Sequence, residues 1–341
     1  MMLSRGELIS FPTETVYGLG ANGLNPDAVK LIYDWKERPL SNPVILHGTS
    51  LNDLIRLVDV TSEEMCAMDL LAKTFWPGPL TMVVKASAIV PRTVTAGGDY
   101  VAIRVPKDEV TLNLIRMCGF PLAGPSANKS GHTSPFSSEH VAHDFRDYNL
   151  TILADPTRGI KRLGIESTIA KIHIVNGVMC VTIVRPGMIG GSQIMEVLYN
   201  HITSASLSYL HRTVSSDEYQ EAPGGLFRHY APDIPAFIHV KNAAKHFCKQ
   251  ELANYIILSA NGSLRELKRD CIAFLHLGCT IHDVAKNLYS MLRTAESVPG
   301  AVGIIISIIN IPVDNDDVMK AIQDKLIRCS EGVNVCIHSL L

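Results

Sequence analysis

The residues best able to do chemistry in this chain are hydroxyls and cations placed on turns. In Phe11-Pro12-Thr13-Glu14-Thr15-Val16-Tyr17-Gly18-Leu19-Gly20, a buried-looking strand from Leu8 to Phe11 runs through a proline turn carrying two threonines into a glycine-rich exit. Lys36 and Arg38 then stand at alternate positions before Pro39, and Asn42-Pro43 stiffens the same loop. Pro125-Ser126-Ala127-Asn128 follows the apolar Phe120–Ala123, where a strand would end, and Glu166-Ser167-Thr168 repeats the hydroxyl theme. Strand ends are where α/β folds place ligands. Hydroxyls on rigid turns facing paired cations suit an amino-acid or phosphate ligand, and together these segments describe a site that handles anions.

Other chemistries lack their residues. There is no Walker A sequence, so a bound nucleotide has to be held by side chains; Lys36 supplies charge and Arg38 can grip phosphate bidentately. No G-x-S-x-G elbow and no H-E-x-x-H pair occurs. The eight cysteines are scattered without a C-x-x-C pair, which excludes a zinc knuckle and argues against a disulfide scaffold; most are expected to be buried thiols. Arg104 lies inside the apolar strand Val101–Val105 and needs a partner, because an unpaired buried charge is costly. Two partners are open: a structural carboxylate or the carboxylate of a substrate. Arg185 raises the same question at the end of another apolar strand, and His47 ends a third.

The elements that must position these residues follow from patterning. At 341 residues, 47% hydrophobic and 19% charged, the chain can bury the cores of two domains, and a net charge of −2 gives no overall positive field for nucleic acid. Strands are expected at Leu8–Phe11, Val44–His47, Leu80–Lys85, Val101–Val105, Thr151–Ala154, Ser167–Ile174 and Met179–Val184. Helices are expected at Asp27–Trp35, Leu51–Leu57, Ser62–Phe75, Glu109–Cys118 and Ser138–Phe145, with Asp27 and Ser62 offering N-cap chemistry. This makes residues 1–190 an α/β domain with a twisted mixed sheet. Residues 191–232 read as a helix and then a Ser-rich linker, ending in the aromatic Ala222–Pro232. Residues 233–341 read as a smaller Rossmann-like α/β domain, with strands Ala236–His239, Tyr255–Ser259, Ala273–His276 and Gly303–Ile308. Its helices are expected at Ala243–Glu251, Ile281–Glu296 and Val318–Cys329. This second domain has no G-x-G-x-x-G at a strand–helix junction, so dinucleotide binding by it is not supported. The start of the chain lacks the apolar run of a secretory signal, and the longest apolar run, Ala301–Ile311, is far too short for a membrane span. A cytoplasmic protein without membrane contact is expected.

In this order, Phe11–Gly20, Lys36–His47, Phe75–Thr81, Val101–Pro106, Pro121–Asn128, Gly164–Ile169 and Arg185-Pro186-Gly187 resemble the YrdC-like family. Ala222–Pro232 and Ala321–Leu326 are similar to the linker and last helix of its long, two-domain threonylcarbamoyl-AMP synthase branch. The resemblance implies a nucleotidyltransferase that joins L-threonine, bicarbonate or CO2, and ATP into threonylcarbamoyl-AMP with release of pyrophosphate. That adenylate serves the threonylcarbamoyladenosine modification beside the tRNA anticodon, so downstream transfer proteins are implied partners; direct tRNA contact stays open. It implies Mg2+ accompanying ATP, with no protein side chain assigned to the metal. By position, Lys36, Arg38, Ser126 and Asn128 fall at the phosphates. Arg38, Asn42, Tyr100, Ser126, Ser134, Arg185 and Phe227 fall at nucleotide contacts, and Thr15, His47, Arg104, Gly124 and Ser167 at the threonine site. Departures from the family pattern are Tyr100 and Phe227, Ala154-Asp155-Pro156-Thr157 in place of Asp-Gly-Gly, and a start lacking the helix that usually precedes the first strand. An RNA-binding module and a carbamoyl-transfer enzyme are the competing readings.

Overall fold

The computed structural model describes residues 2–156, 162–202, 204–209, 229–312 and 315–338, which fall into two compact units. In the first, the elements run β1 (Ile9–Phe11), β2 (Gly18–Asn22), α1 (Pro26–Lys36), β3 (Ile45–His47), α2 (Leu51–Leu54), α3 (Ser62–Phe75), β4 (Leu80–Lys85), β5 (Tyr100–Arg104) and α4 (Glu109–Cys118). They continue with β6 (Leu122–Ala123), α5 (Ser138–Asp144), β7 (Thr151–Ile152), β8 (Thr168–Val175), β9 (Val178–Arg185), α6 (Gly191–Tyr199) and β10 (Ala205–Tyr209). One mixed sheet has the order β10-β9-β8-β4-β5-β3-β6-β2-β1-β7. The N-caps sit slightly upstream of the expected ones. The Asn25 side chain accepts from the Asp27 and Ala28 amides with Pro26 at the first helical position, and Thr61 forms a capping box with Glu64 ahead of Ser62.

Alternation along the central strands separates core from site. Val101 and Ile103 of β5 point into the main core with Leu46, Met82, Val84, Ala170 and Ile172. Ala102 points the other way and packs with Ile45, Val83, Ile169 and Val184, with Tyr100 at its margin. This small apolar floor shares its sheet face with His47 and Arg104, which pair in register across β3 and β5.

The second unit comprises residues 131–134, 163–165 and the described residues from His229 onward. It carries β11 (Ala236–His239), β12 (Lys245–Cys248), β13 (Tyr255–Ala260), β14 (Ala273–Gly278), α7 (Ile281–Glu296), β15 (Gly303–Ser307), α8 (Asp316–Cys329) and β16 (Asn334–His338). The described strands form an all-parallel sheet in the order β12-β16-β11-β15-β13-β14, as expected of a Rossmann-like domain.

The structure adds to or departs from the expected pattern at several points. The first unit continues past residue 190: α6 buries Ile194, Met195 and Leu198 in the main core, and β10 extends the sheet in parallel on β9. At the far end of the expected linker, Tyr230 is fully buried in the second unit and stacks on Tyr289, 5.4 Å between ring centroids. Within 243–251, a strand (β12) and a 3-10 turn from Lys249 replace the expected helix; Lys245–Cys248 pairs with β16, and that sheet partner outweighs local propensity. Only Cys329 and Cys336 are buried among the eight cysteines, with Cys66 and Cys279 exposed. The rest of the linker, including Phe227, lies outside the described residues. No helix among the described residues is long and apolar enough to cross a membrane.

Candidate active site

The turn after β1 is built by its own hydroxyls. Thr13 Oγ1 donates to the Val16 carbonyl at 2.6 Å and accepts from the Thr15 amide at 3.1 Å, and the two threonine hydroxyls stand 2.8 Å apart. Pro12 is anchored from α4, where the Thr111 hydroxyl donates to its carbonyl. Arg104 then reaches this turn from the end of β5. Its Nη2 donates to Glu14 Oε1 at 2.7 Å and to Thr15 Oγ1 at 3.1 Å, and its Nε donates to the Gly78 carbonyl at 3.2 Å. The other Glu14 oxygen accepts from the Lys107 amide at 2.9 Å. Of the two partners open for Arg104, the structural carboxylate is therefore present. Nη1 makes no hydrogen bond among the described residues.

His47 stands beside Arg104 and is 2% exposed. Its Nδ1 lies 3.4 Å from the Leu122 carbonyl, which can only accept. The Nδ1–H tautomer is the one that makes this hydrogen bond, and the Ile45 backbone also hydrogen-bonds the ring. Burial, reinforced by the Arg104 charge, pushes the imidazole down to about 3, so it is neutral throughout the physiological range. Phe11 meets the His47 ring edge-on at 5.7 Å between centroids. The glycines around Phe11 exist to admit that ring. A Cβ on Gly18 would come within 2.5 Å of it, on Gly20 within 2.7 Å, and on Gly124 within 2.6 Å. The glycine-rich exit of the first motif and Gly124 of the later one are two sides of one aromatic slot, and Gly124 also approaches His47.

Gly124 leads straight into the Ser126–Asn128 turn. That turn is held by an isolated bridge between Gly18 and Ser126 and by the Ala127 amide, which donates to the Tyr17 carbonyl at 2.8 Å. Lys36, only 1% exposed at the end of α1, donates from Nζ to the carbonyls of Ser126, at 2.6 Å, and Asn128. Arg38 wraps its own loop: Nε donates to the Asn42 carbonyl at 2.9 Å, and Nη2 to Asn42 Oδ1 at 2.5 Å and the Pro43 carbonyl at 2.6 Å. The structure thus joins Lys36 to Ser126 and Asn128, and Arg38 to Asn42. The five residues 124–128 tie this cationic set to the His47 side.

Ser167 and Arg185 meet through a bulge. On β9, Arg185 pairs with Ile169 but Ile183 pairs with Ala170, so Val184 is an extra residue. The bulge turns Arg185 away from the core face that Ile183 occupies, and Nε and Nη2 donate to the Ser167 carbonyl at 3.1 and 3.0 Å. Nη2 also donates to Ser167 Oγ at 3.0 Å, and that hydroxyl lies 2.8 Å from Thr81 Oγ1. Gly187 packs so tightly here that a Cβ would meet the Thr168 amide nitrogen at 2.4 Å. Tyr100 begins β5 on the same face as Arg104, with Lys171 Nζ 3.9 Å from its ring centroid. Ser134 is fully buried and is grouped with the second unit; Phe227 lies outside the described residues.

Reading the sequence alone passed over Glu14 and Thr81. Glu14 carried a signal, since a carboxylate between two turn threonines is the natural counter-charge for a strand arginine; Thr81 carried none beyond its place after Pro79-Leu80.

A buried arginine paired with one carboxylate, a neutral histidine and a cationic turn gather on a mixed α/β sheet, groups whose chemistry suits an enzyme that handles anions. Two family models match the chain, one described as telomere recombination over residues 1–187 and one as threonylcarbamoyl-AMP synthase, C-terminal domain, over residues 189–330. The chain is 37% identical over 296 residues to the threonylcarbamoyl-AMP synthase of Pyrococcus abyssi, covering 85% of this chain and 82% of the relative. To that of Bacillus subtilis it is 42% identical over 239 residues, 70% of this chain and 64% of the relative. The crystal structure of P. abyssi Sua5 complexed with L-threonine matches with a TM-score of 0.81 at 32% identity, covering 99% of this chain and 94% of that one. The chain belongs to the threonylcarbamoyl-AMP synthase family.

Proposed function

We propose that the first unit joins L-threonine, bicarbonate or CO2, and ATP into L-threonylcarbamoyl-AMP with release of pyrophosphate, and of water when bicarbonate is the carbon source, for the modification of tRNA beside the anticodon. The reading rests on one observation above all. The segment 124–128 has the neutral His47 and its neighbour Arg104 at one end and the Lys36-held Ser126–Asn128 turn at the other. A carboxylate site and a phosphate site on one rigid segment are what this condensation needs. Carboxylation of the threonine amine gives a carbamate, whose oxygen attacks the α-phosphorus of ATP and expels pyrophosphate. No serine, cysteine or histidine nucleophile enters. The protein's task is to align two anions and to stabilise charge on the leaving group.

Arg104 Nη1 receives the threonine carboxylate beside Thr15, and the neutral His47 ring hydrogen-bonds the threonine hydroxyl. Lys36, Arg38, Ser126 and Asn128 line the phosphates, with Asn42 fixing Arg38, and Arg185 with Ser167 closes the far side of the sheet face. Among the described residues no three carboxylate, histidine or cysteine side chains converge to cage a metal. Mg2+ accompanying ATP would add positive charge beside Lys36 and Arg38 as pyrophosphate leaves. The test is pyrophosphate release from MgATP and bicarbonate with each amino acid in turn. Release with threonine alone is expected; folded protein with no threonine-dependent release would refute the reading.

A further inference from the structure

Arg162 is a buried cation that none of these roles uses. In sequence it follows Ala154-Asp155-Pro156-Thr157, the stretch that departs from the family pattern. Its Nη2 donates to Asp155 Oδ2 at 2.8 Å, both side chains being 5% exposed or less. The guanidinium lies over the Tyr17 ring, 4.2 Å from its centroid, with the Phe136 ring 5.5 Å away. Nε and Nη1 are fully buried and make no hydrogen bond among the described residues. Stranding two charged donors in this way costs more than a neutral unpaired group would, and an apolar side chain could cover Tyr17 without it. Arg162 also lines two hollows: a larger one of about 370 Å3 with Tyr17, Phe136, Ser137 and Glu139, where an anion fits, and an acidic one of about 140 Å3 with Lys107, Glu14, Asp108 and Glu109, where it does not.

The neighbourhood indicates the ligand. Tyr17 is continuous with the phosphate-side turn: its carbonyl accepts from the Ala127 amide, and its amide donates to the Pro135 carbonyl at 3.1 Å, next to Phe136. The carboxylates that share the hollow are engaged, Asp155 by Arg162 itself and Glu139 by hydrogen bonds, led by that from the Ser137 hydroxyl, that hold it below its usual range. We propose that Arg162 receives a substrate oxyanion through Nε and Nη1, adding a cation beside Tyr17 to the anion site. The chemistry suits a phosphate oxygen of ATP or pyrophosphate and equally a bicarbonate, and the proposal rests on the synthase reading above.

Arg162→Met, which keeps the stacking bulk, and Arg162→Lys, which keeps the charge, separate the possibilities. Inorganic pyrophosphate and L-threonine binding are measured by calorimetry, the bicarbonate KM by pyrophosphate release, and folding by thermal melting. Arg162→Met is expected to weaken pyrophosphate binding or raise the bicarbonate KM by roughly ten- to a hundredfold, the worth of a charge-assisted hydrogen bond, with threonine affinity unchanged. Whichever constant moves names the oxyanion, and Arg162→Lys is expected to recover part of it. If neither constant moves in a variant that melts like the parent, the proposal is overturned. If threonine binding and the melting point fall together in both variants, Arg162 only supports the Tyr17 turn, which also overturns it. The pyrophosphate titration does not require turnover, so a parent protein that binds pyrophosphate but ignores threonine would refute the synthase reading without touching Arg162.

Discussion

Removing Arg104 tests the threonine site and its structural partner together. The Arg104–Glu14 pair is 2.7 Å long, with side chains 5% and 7% exposed, so Arg104→Ala leaves a carboxylate in the interior with only the Lys107 amide. Breaking a buried pair from one side costs about 3–5 kcal/mol, a large part of a stability of about 5–15 kcal/mol. Adding Glu14→Gln removes the stranded charge while its amide oxygen still accepts from Lys107. The double variant is therefore expected to regain most of the lost stability in urea melts. Threonine affinity behaves differently. It depends on the guanidinium itself, and losing that charge-assisted contact costs roughly 1.5–3 kcal/mol, or ten- to a hundredfold, in both variants. Calorimetric titration with threonine, alongside pyrophosphate as the probe of the other half of the site, reads this directly. Threonine binding that returns in the double variant would refute the carboxylate role. Equal losses of threonine and pyrophosphate affinity would refute the separation into two subsites.

Two further outcomes follow from the same geometry. The folded pKa of His47, about 3, lies below the ordinary 6.5, so between these values the unfolded chain takes a proton that the folded chain refuses; stability is intact above pH 6.5 and is lost as pH falls. Between pH 7 and 5 the parent should lose about 2 kcal/mol more than His47→Gln, from one proton at about 1.4 kcal/mol per pH unit, and parallel urea-melt curves for the two would contradict this. Gly124→Ala should cost about 1–3 kcal/mol and weaken threonine binding more than pyrophosphate binding. The new methyl meets the Phe11 ring at 2.6 Å, where Gly18 and Gly20 leave that ring no retreat; an unchanged melting point and threonine affinity would show that the slot can open.

Much of the fold was legible because its signals are local. Ser62–Phe75 and Glu109–Cys118 carry helical periodicity and caps, Leu80–Lys85 and Tyr100–Arg104 carry β-branched alternation, and both appear nearly where expected. The elements that escaped reading lack such signals. β2 is Gly-Leu-Gly-Ala-Asn and β6 is two residues long, so their pairing with neighbouring strands, not propensity, makes them strands. Lys245–Cys248 became a strand for the same reason.

The amino-acid sequence by itself determined the chemical inventory and its order: two threonines on a turn, Lys36 and Arg38 before a proline, Ser126 and Asn128 after a strand, and arginines in apolar runs. It could not say which groups are already paired. That was decided by strand order and register, which set Arg104 against Glu14, used a single bulge to turn Arg185 onto Ser167, and packed three glycines around Phe11 beside a neutral His47. Burial, charge pairing and protonation are properties of neighbours in space, and residues 90 positions apart become neighbours only when the sheet forms.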